Sequence, residues 1–318
     1  MIKFTTWNLE NFFITPHLKY PNRFLKDKDK VQKIAETLLH ISPDFLFLTE
    51  IGGLEDLKIF NRDYLQETYE IHFIKGNSNR GIELAFMAKI EFLQEKNWKV
   101  KASSYAKSPI GFNYPHEVKE NKRAKERGQK LPHRSHRMSR DLLQIDVSNA
   151  EGTLQFILLG VHFKSKLDKD GIDWNGQRRR LAECRFSAEI YDQLNKKNQG
   201  KVPIFITGDF NGEAHSQKRD PEFRDLYALD LIDFSEILDL PEDHRYSFVG
   251  MNRARKLVGL QLDYFFMPKN LIQKIIPFES GFYRYLNENG EPYPIPQNPG
   301  AKHALPSDHY PIVISLDL

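Results

Sequence analysis

Short apolar runs and longer amphipathic stretches alternate along the chain and predict a mixed order of strands and helices. Runs rich in β-branched and aromatic residues predict strands, whereas apolar residues that recur every three or four positions predict helices. The predicted strands are Lys3–Trp7, Phe45–Thr49, Tyr69–Ile74, Ile82–Ala88, Leu142–Val147, Leu154–Gly160, Val202–Thr207, Leu262–Phe266 and Ile312–Leu316. The predicted helices are Lys28–Ile41, Leu54–Leu65 and Gln177–Asn195. The segment from Tyr283 to Pro306 is rich in Pro, Asn and Gly and is predicted to be a loop.

The order of these elements distinguishes between two kinds of α/β fold. Hairpin-like strand pairs occur beside isolated helices, whereas a parallel array would alternate strand and helix regularly. We therefore expect a layered sheet-and-helix sandwich. The sequence has no internal repeat, no Gly/Ser linker and no break in composition. Residues 1–318 are accordingly predicted to form one domain.

Composition narrows the class of protein. None of the apolar runs in these 318 residues approaches the roughly 20 residues that span a bilayer. The N-terminus alternates like a strand and lacks the features of a signal peptide, so we expect a cytoplasmic protein, with a secreted mature form left open. The one cysteine, Cys184, excludes an internal disulfide framework and an all-cysteine zinc site. The oligomeric state stays open, with a monomer as the simpler expectation.

Charge is distributed unevenly along the chain. The segment from Lys101 to Arg140 contains eleven Lys or Arg residues and three Glu residues. Because the whole chain carries a net charge of +3, the remainder is net negative. A concentrated positive field is typical of a surface that faces phosphates, although a solvated loop is the equal alternative. We predict a basic insertion in the form of a long loop at about 101–140.

The segment Gly208–Asn211 follows the apolar run that ends at Thr207, and this is where α/β folds usually place their chemistry. In extended chain Asp209 and Asn211 would point to the same side, with Phe210 anchored behind them. A carboxylate and an amide on one side can bind a metal or a phosphate oxygen, or position a water. A simple Asp-Phe-Asn-Gly turn is the alternative.

Other predicted strands also begin or end at polar residues that are suited to chemistry. These residues are Asn8, Glu50, His162, Asp263, Asp308 and His309. One polar residue at a strand end is common, but a set of this kind is harder to assign to chance. It favours a functional site over a series of unrelated turns.

The motifs TWN, LTE, VHFKS, GDFN, LDY and SDHYP resemble those of the endonuclease/exonuclease/phosphatase superfamily. They occur in the family's order from Asn8 to His309, nearly the whole chain. The resemblance implies a deoxyribonuclease I-like four-layer sandwich, in which two packed mixed β-sheets are flanked by helices. It also implies a metal-dependent phosphodiesterase or phosphatase.

Hydrolysis of a phosphate ester requires neutralisation of charge, an activated water and help for the leaving oxygen. The resemblance assigns Asn8, Glu50 and Asp308 to the metal. Carboxylate and amide oxygens suit Mg²⁺ or Mn²⁺, and zinc fits less well because the cysteine ligands are missing.

Two histidine–acid dyads are predicted beside the scissile phosphate. The resemblance pairs His309 with Asp263 and His162 with Glu83, the one charge inside the apolar strand Ile82–Ala88. We expect the first dyad to act as base or phosphate stabiliser and the second as acid. Asp209 is an alternative base, and Asn211 is expected to donate a hydrogen bond to the phosphate.

The substrate is less determined than the reaction. The stretch Val258–Tyr264 lacks the Trp-Cys-Asp-Arg motif of inositol phosphatases, and no exposed aromatic hairpin of a sphingomyelinase is evident. Lys164, Arg178 and Arg140 are predicted to bind substrate phosphates. We expect a nuclease with little sequence specificity that acts on DNA rather than RNA and has no membrane partner. The alternatives are a small-molecule or lipid phosphoesterase and an inactive nucleic-acid-binding domain.

Overall fold

The computed structural model describes residues 1–16, 24–78, 80–105, 114–130, 138, 140–167, 173–252, 254–287 and 289–318. The strands are β1 Ile2–Phe12, β2 Phe45–Ile51, β3 Tyr69–Phe73, β4 Glu83–Lys89, β5 Trp98–Ser104, β6 Leu142–Asn149, β7 Leu154–His162, β8 Ile204–Asp209, β9 Ala214–His215, β10 Lys218–Arg219, β11 Leu231–Asp233, β12 Phe248–Met251, β13 Leu257–Leu260, β14 Asp263–Pro268, β15 Gly281–Phe282 and β16 Ile312–Leu316. The α-helices are α1 Lys28–Ile41, α2 Leu54–Tyr64, α3 Ile90–Lys96, α4 Pro115–Glu126, α5 Gln177–Lys197, α6 Phe234–Ile237 and α7 Pro299–His303.

Two six-stranded mixed sheets form the centre of the fold. The first sheet has the strand order β15-β16-β1-β2-β4-β3, and the second has the order β11-β14-β8-β7-β6-β5. Strands β1 and β2 pair in parallel, as do β7 and β8, while the remaining pairs in both sheets are antiparallel. This arrangement is the mixed topology that the irregular order of elements predicted.

The two sheets pack face to face through aromatic side chains. Phe4 of the first sheet lies 5.2 Å from Phe156, 5.5 Å from Phe205 and 5.6 Å from Phe265 of the second, measured between ring centroids. Their rings belong to one buried cluster, and removing such aromatic area from water is a major stabilising contribution to the fold.

Helices α1 and α5 cover the outer faces of the sheets. Apolar residues of α1, Val31 among them, are buried with the outer face of the first sheet, and Cys184 and Ala188 of α5 with that of the second. Four layers result, as predicted. The α1 bounds match the prediction, because its apolar face recurs at helical spacing and the helix stops at Ser42, before Pro43. Cys184 of α5 is buried and forms no disulfide.

The basic segment differs from the predicted long loop. Its described residues include the last residues of β5 and the whole of α4, which was not foreseen. Lys107, Arg134 and Arg137 lie outside the described residues. The predicted loop from Tyr283 to Pro306 contains the short helix α7. None of the helices within the described ranges is long and apolar enough to cross a lipid bilayer.

Candidate active site

Strand ends from both sheets meet at one end of the sandwich. The carboxyl ends of β1 and β2 lie side by side because these strands are parallel, and the same holds for β7 and β8. Strands β14 and β16 run in the opposite direction and begin at this end. In the register of the second sheet, Asp209 lies beside both His162 and Asp263. Two parallel pairs and two antiparallel neighbours therefore bring most of the predicted residues together.

The segment Gly208–Asn211 leaves the extended conformation earlier than strand alternation predicts. Strand β8 ends at Asp209, and Asn211 has a left-handed φ of 51°. Asn211 N donates to Asp209 Oδ1 at 2.8 Å, and Asn211 Nδ2 donates to Phe163 O at 3.0 Å. Gly208 has a φ of 132°, and a Cβ there would lie 2.0 Å from the carbonyl oxygen of Val161. The turn itself thus positions the side chains of the site.

His309 and Asp263 form the predicted dyad. His309 Nδ1 lies 2.7 Å from Asp263 Oδ2, and both residues are buried. Burial alone would lower the pKa of His309, but the charge and hydrogen bond of Asp263, helped by Asp209 and Asp308, raise it to about 10. His309 is therefore an imidazolium at neutral pH.

Backbone contacts fix the position of His309. Its carbonyl oxygen accepts from Trp7 Nε1 at 2.9 Å and from the hydroxyl of Tyr285. Its N–H donates to Ser307 Oγ at 3.1 Å, and that hydroxyl donates to Asn8 O at 2.8 Å. Trp7 and Ser307 belong to the TWN and SDHYP motifs. Tyr285 belongs to none of the motifs, and its contact with His309 could not be predicted from the sequence.

Asp209 is the buried carboxylate at the centre of the site. It is 1% exposed, and its Oδ2 accepts from Asn8 Nδ2 at 2.9 Å. Burial, followed by the negative charge of Asp263, raises the pKa of Asp209 to about 7. A carboxylate of this kind can hold or release a proton near neutral pH.

His162 does not pair with Glu83, which corrects the second predicted dyad. His162 Nε2 lies 3.5 Å from Asp209 Oδ2 and 3.9 Å from Glu50 Oε1. Glu83 Oε2 instead accepts the backbone N–H of Gly76 at 2.9 Å. Burial, followed by the charges of Arg140 and His309, lowers the pKa of His162 well below its ordinary value, so it is neutral.

An irregular backbone near the ends of β1 and β2 places Glu50. Glu50, Glu10 and Asn11 all have φ values between 50° and 62°, in the left-handed region. The register of β1 with β2 shifts between Asn8 and Phe12. Asn11 N donates to Glu50 Oε2 at 2.8 Å, which directs the carboxylate into the site. Its position at the end of a predicted strand identified Glu50 as a candidate, but the sequence did not predict these backbone conformations.

The predicted metal ligands have other contacts as well. Asn8 Oδ1 accepts from Glu10 N at 2.9 Å, while the amide nitrogen of Asn8 faces Asp209. Asp308 Oδ2 lies 3.0 Å from Lys302 Nζ. Glu50 is partly exposed and is the best placed of the three to receive an ion.

The ionisable groups that converge most closely are a different set. Within the described ranges, ligand atoms of Asp209, Asp263 and His309 lie within 4.8 Å of one another. The charged hydrogen bond between His309 and Asp263 already uses two of these atoms, so Asp209 is the one carboxylate of the three that lies outside this ion pair. Together with Glu50 it offers hard oxygen ligands, and a divalent cation would relieve the burial of its negative charge. This donor set fits Mg²⁺ or Mn²⁺.

The three predicted phosphate-binding cations occupy different environments. Arg140 is buried, and its charge faces Glu50, Glu183 and Asp209. Lys164 Nζ donates to the backbone carbonyls of Ser165 and Leu167 at 3.0 and 2.5 Å.

Arg178 Nη1 lies 3.4 Å from Glu120 on the protein surface. Of the three cations, Arg140 is thus the one that acts on the site.

Sequence reasoning missed Arg80, whose charge also acts on His162 and Arg140. No motif signals it, because its loop carries no strand-end pattern.

No family model and no curated protein sequence matches the chain. Among solved structures, D. rerio TDP2 complexed with a single-strand DNA product aligns with a TM-score of 0.59 and 15% identity, covering 100% of this chain and 99% of that one. The mannosyl-6-phosphatase Bt3783 of Bacteroides thetaiotaomicron gives a TM-score of 0.57 and 14% identity, covering 100% of both chains. An endonuclease/exonuclease/phosphatase family protein from the same organism gives 0.55 and 14%, covering 99% and 97%.

These likenesses extend over the length of both packed sheets and the helices outside them. The chain therefore has the deoxyribonuclease I-like fold that the motifs predicted.

Proposed function

We propose that the chain is a metal-dependent hydrolase of phosphoric esters, and that its substrates are nucleic acid phosphodiesters. The observation that carries this proposal is the buried His309–Asp263 pair, 2.7 Å apart, beside the buried carboxylate of Asp209. A cation and a weak acid next to each other provide the two kinds of group that ester hydrolysis at phosphorus needs.

The pKa directions favour one of the two roles predicted for His309 and the alternative base Asp209, and they oppose the acid role predicted for His162. His309 stays protonated at neutral pH because of Asp263, so it stabilises negative charge on the phosphate instead of acting as base. Asp209, with a pKa of about 7, accepts the proton of the attacking water. Asn211 donates from its amide, and neutral His162 supports Asp209 from the neighbouring strand.

Glu50 would hold the divalent cation, with Asn8 beside it, which leaves the carboxylate of Asp209 to accept the proton. When bound, such an ion acts as a Lewis acid on a phosphoryl oxygen. The remaining steps, which are orientation of the ester, transfer of the proton and stabilisation of charge, belong to side chains of this chain.

The exposed face of α4 and the residues after it supports a nucleic acid substrate. Its exposed cations are Lys119, Lys122, Arg123, Lys125, Arg127 and Lys130. A buried ion pair, Arg179 Nη2 to Glu117 Oε1 at 2.6 Å, ties α4 to α5. Glu183 of α5 accepts both the Tyr114 hydroxyl at 2.5 Å and the N–H of Lys164, two residues after His162, at 2.6 Å. The basic face is thus linked to the site. The likeness to TDP2 with a DNA product agrees with DNA over RNA.

A second candidate is a phosphoesterase that acts on small molecules or lipids. The likeness to a mannosyl-6-phosphatase favours it, since that protein aligns over the full length of this chain. An inactive nucleic-acid-binding domain is the third candidate. The presence of Glu50, His162, Asn211 and His309 in one site opposes it.

The proposal is tested with supercoiled plasmid, single-stranded DNA, RNA, a chromogenic phosphodiester and mannose 6-phosphate, each with Mg²⁺ or with EDTA. We expect metal-dependent cleavage of DNA, and of the chromogenic diester at a lower rate. Cleavage of the sugar phosphate or the chromogenic ester alone would contradict the nuclease proposal and support the second candidate.

Two variants link that activity to the site. His309→Ala and Asn211→Ala are each expected to lower kcat by roughly 10²–10³. Unchanged activity in both variants would show that hydrolysis occurs elsewhere. The exposed Asp192→Asn on α5 serves as a control that leaves the rate intact.

A further inference from the structure

The described residues of the turn between β3 and β4, 74–78 and 80–82, are hydrogen-bonded to the backbone at Arg140, shortly before β6. Asn77 N donates to the carbonyl oxygen of Arg140 at 2.9 Å, and Gly76 N donates to Glu83 Oε2 at 2.9 Å. A Cβ at Gly76 would lie 2.8 Å from Glu83 Oε2 and 3.1 Å from Arg140 O, so the two backbones approach closely. Ser78 Oγ, which is buried, accepts the N–H of Ile82 at 3.1 Å. These contacts give the turn a defined position beside Arg140.

This turn carries Arg80 to the rim of the candidate active site. Arg80 Nη2 donates to Asn11 Oδ1 at 2.7 Å, and Asn11 N donates to Glu50 Oε2 at 2.8 Å. A single residue, Asn11, therefore connects the Arg80 guanidinium to the Glu50 carboxylate.

Arg80 differs from the surface cations that are already neutralised. Its side chain is exposed, and no described carboxylate forms an ion pair with it. Arg178, by contrast, is paired with Glu120, and Arg185 with Asp225. A guanidinium with this surplus charge has N–H groups in a planar fork that matches two phosphate oxygens.

Arg140 and Arg80 lie at different depths in the protein, so they would contact different phosphates. Arg140 is 8% exposed, and its charge faces Asp209 and Glu50, where the reacting phosphate would lie. Arg80 lies further out, on the solvent side of Asn11. A phosphate bound by Arg80 would therefore be a neighbour of the reacting one along a polynucleotide.

We propose that Arg80 binds a phosphate flanking the scissile one, and that Glu83 is a positioning residue that holds the Arg80 turn through Gly76. This inference rests on the proposed function and specifies its substrate as an ester with more than one phosphate. It also gives Glu83 a role in place of the pairing with His162.

The first test compares Arg80→Gln with the control Arg62→Gln, an exposed arginine on α2 that pairs with its neighbour Asp63. Two substrates are used, a short single-stranded oligonucleotide and a chromogenic diester that has one phosphate. We expect Arg80→Gln to raise KM for the oligonucleotide about tenfold or more, a larger effect than on kcat or on the rate with the chromogenic diester. An equal loss on both substrates, or no change in KM, would overturn the assignment.

A binding measurement separates this inference from the proposed function. In EDTA, the affinity for the same oligonucleotide falls with salt, and the slope of log K against log salt decreases by about 0.7 for each lost phosphate contact. Arg80→Gln should show this decrease, and Arg62→Gln should not. If the wild type binds but cleaves no substrate, a decreased slope still supports Arg80 while hydrolysis is refuted. An unchanged slope refutes Arg80 alone.

The second test compares Glu83→Gln with Glu83→Ala. The amide oxygen of Gln can still accept the N–H of Gly76, so this variant should retain kcat and KM within about threefold. Ala cannot accept it, and we expect the rise in KM seen with Arg80→Gln, because the turn is no longer held. If both variants abolish kcat, the carboxylate takes part in proton transfer and the positioning role is wrong.

Discussion

At the scale of single residues, the site depends on ionisable groups whose pKa values are moved in opposite directions. His309 holds its proton because Asp263 lies 2.7 Å away, whereas burial keeps His162 neutral. Asp209 has a pKa of about 7 because it is buried next to another carboxylate. These shifts arise from contacts between distant parts of the chain.

Asp263→Asn is expected to abolish the charge that keeps His309 protonated. Burial then dominates, and the pKa of His309 falls from about 10 towards or below its ordinary value. We expect kcat to fall roughly 10²–10⁴ at neutral pH, with activity recovering partly as the pH is lowered. The pH–rate profile on a chromogenic diester checks this. A variant profile parallel to that of the wild type would argue against the pairing.

Glu83→Gln tests the pH dependence of stability at a residue that is 4% exposed. Burial raises the pKa of Glu83 to about 7, so the folded state binds more protons than the unfolded state between about pH 4.5 and 7. The wild type therefore loses stability as pH rises through this window. Gln does not ionise, so the Glu83→Gln variant should not share this loss. The difference between its free energy of unfolding and that of the wild type should therefore rise by on the order of 3 kcal/mol from pH 4.5 to pH 8.

Urea denaturation across that pH range measures the Glu83 effect. Glu91→Gln on the exposed side of α3 is the matched control, and its difference from the wild type should not vary with pH. A constant difference for Glu83→Gln would mean that the carboxyl group has an ordinary pKa in the folded protein.

At the scale of elements, the parallel pair β7–β8 supports the centre of the site. Gly208 lies opposite Val161 in this pair, with a φ that disfavours a side chain and no space for one. The segment after β8 then turns sharply, so that Asn211 reaches back to Phe163. A glycine followed by a tight turn is thus the local requirement for the position of Asp209.

Gly208→Ala should destabilise the protein by at least about 2–3 kcal/mol, because a Cβ would overlap the Val161 carbonyl 2.0 Å away. Gly281→Ala in β15 is the control, since no atom lies within 4 Å of the added Cβ and its φ is not positive. Chemical denaturation of both variants provides the measurement. Equal stability of the two would show that the β7–β8 pair relaxes around the methyl group.

At the scale of the whole molecule, the site draws on both sheets and carries buried negative charge that a cation would offset. Asp209 and Asp263 come from the second sheet, and Glu50 and Asn8 from the first. A divalent ion bound between them would join the two sheets and would therefore stabilise the folded state as a whole.

We expect Mg²⁺ or Mn²⁺ at ten times its dissociation constant to raise the free energy of unfolding by about 1.4 kcal/mol, which corresponds to a few degrees in Tm. EDTA should reverse the shift. Glu50→Gln should reduce it, because a metal ligand is weakened, whereas the exposed Glu91→Gln should retain it. A Tm that is insensitive to either ion in the wild type would contradict the assignment of the metal site.

The positions of the strands and helices could be predicted because periodicity and turn chemistry are local properties. The α1 bounds, the apolar run before Asp209 and the polar residues at strand ends all follow from residues close together in the chain. Strand β5 and helices α3 and α4 are among the elements that were missed, since their charged and mixed sequences give weak periodic patterns. The resemblance in motifs supplied the pairing of His309 with Asp263.

Three-dimensional packing was needed to decide which groups interact. Glu83 faces Gly76 and not His162, because the β3–β4 turn closes over it, and Arg80 reaches the site through Asn11. Left-handed residues near the ends of β1 and β2, Asn11 and Glu50, help to place the contact of Arg80 with the site. Such backbone conformations depend on contacts with residues of other strands, so the hydrophobic pattern of the sequence alone does not predict them. Local patterning therefore located the residues of the site, and long-range packing determined their partners and their protonation.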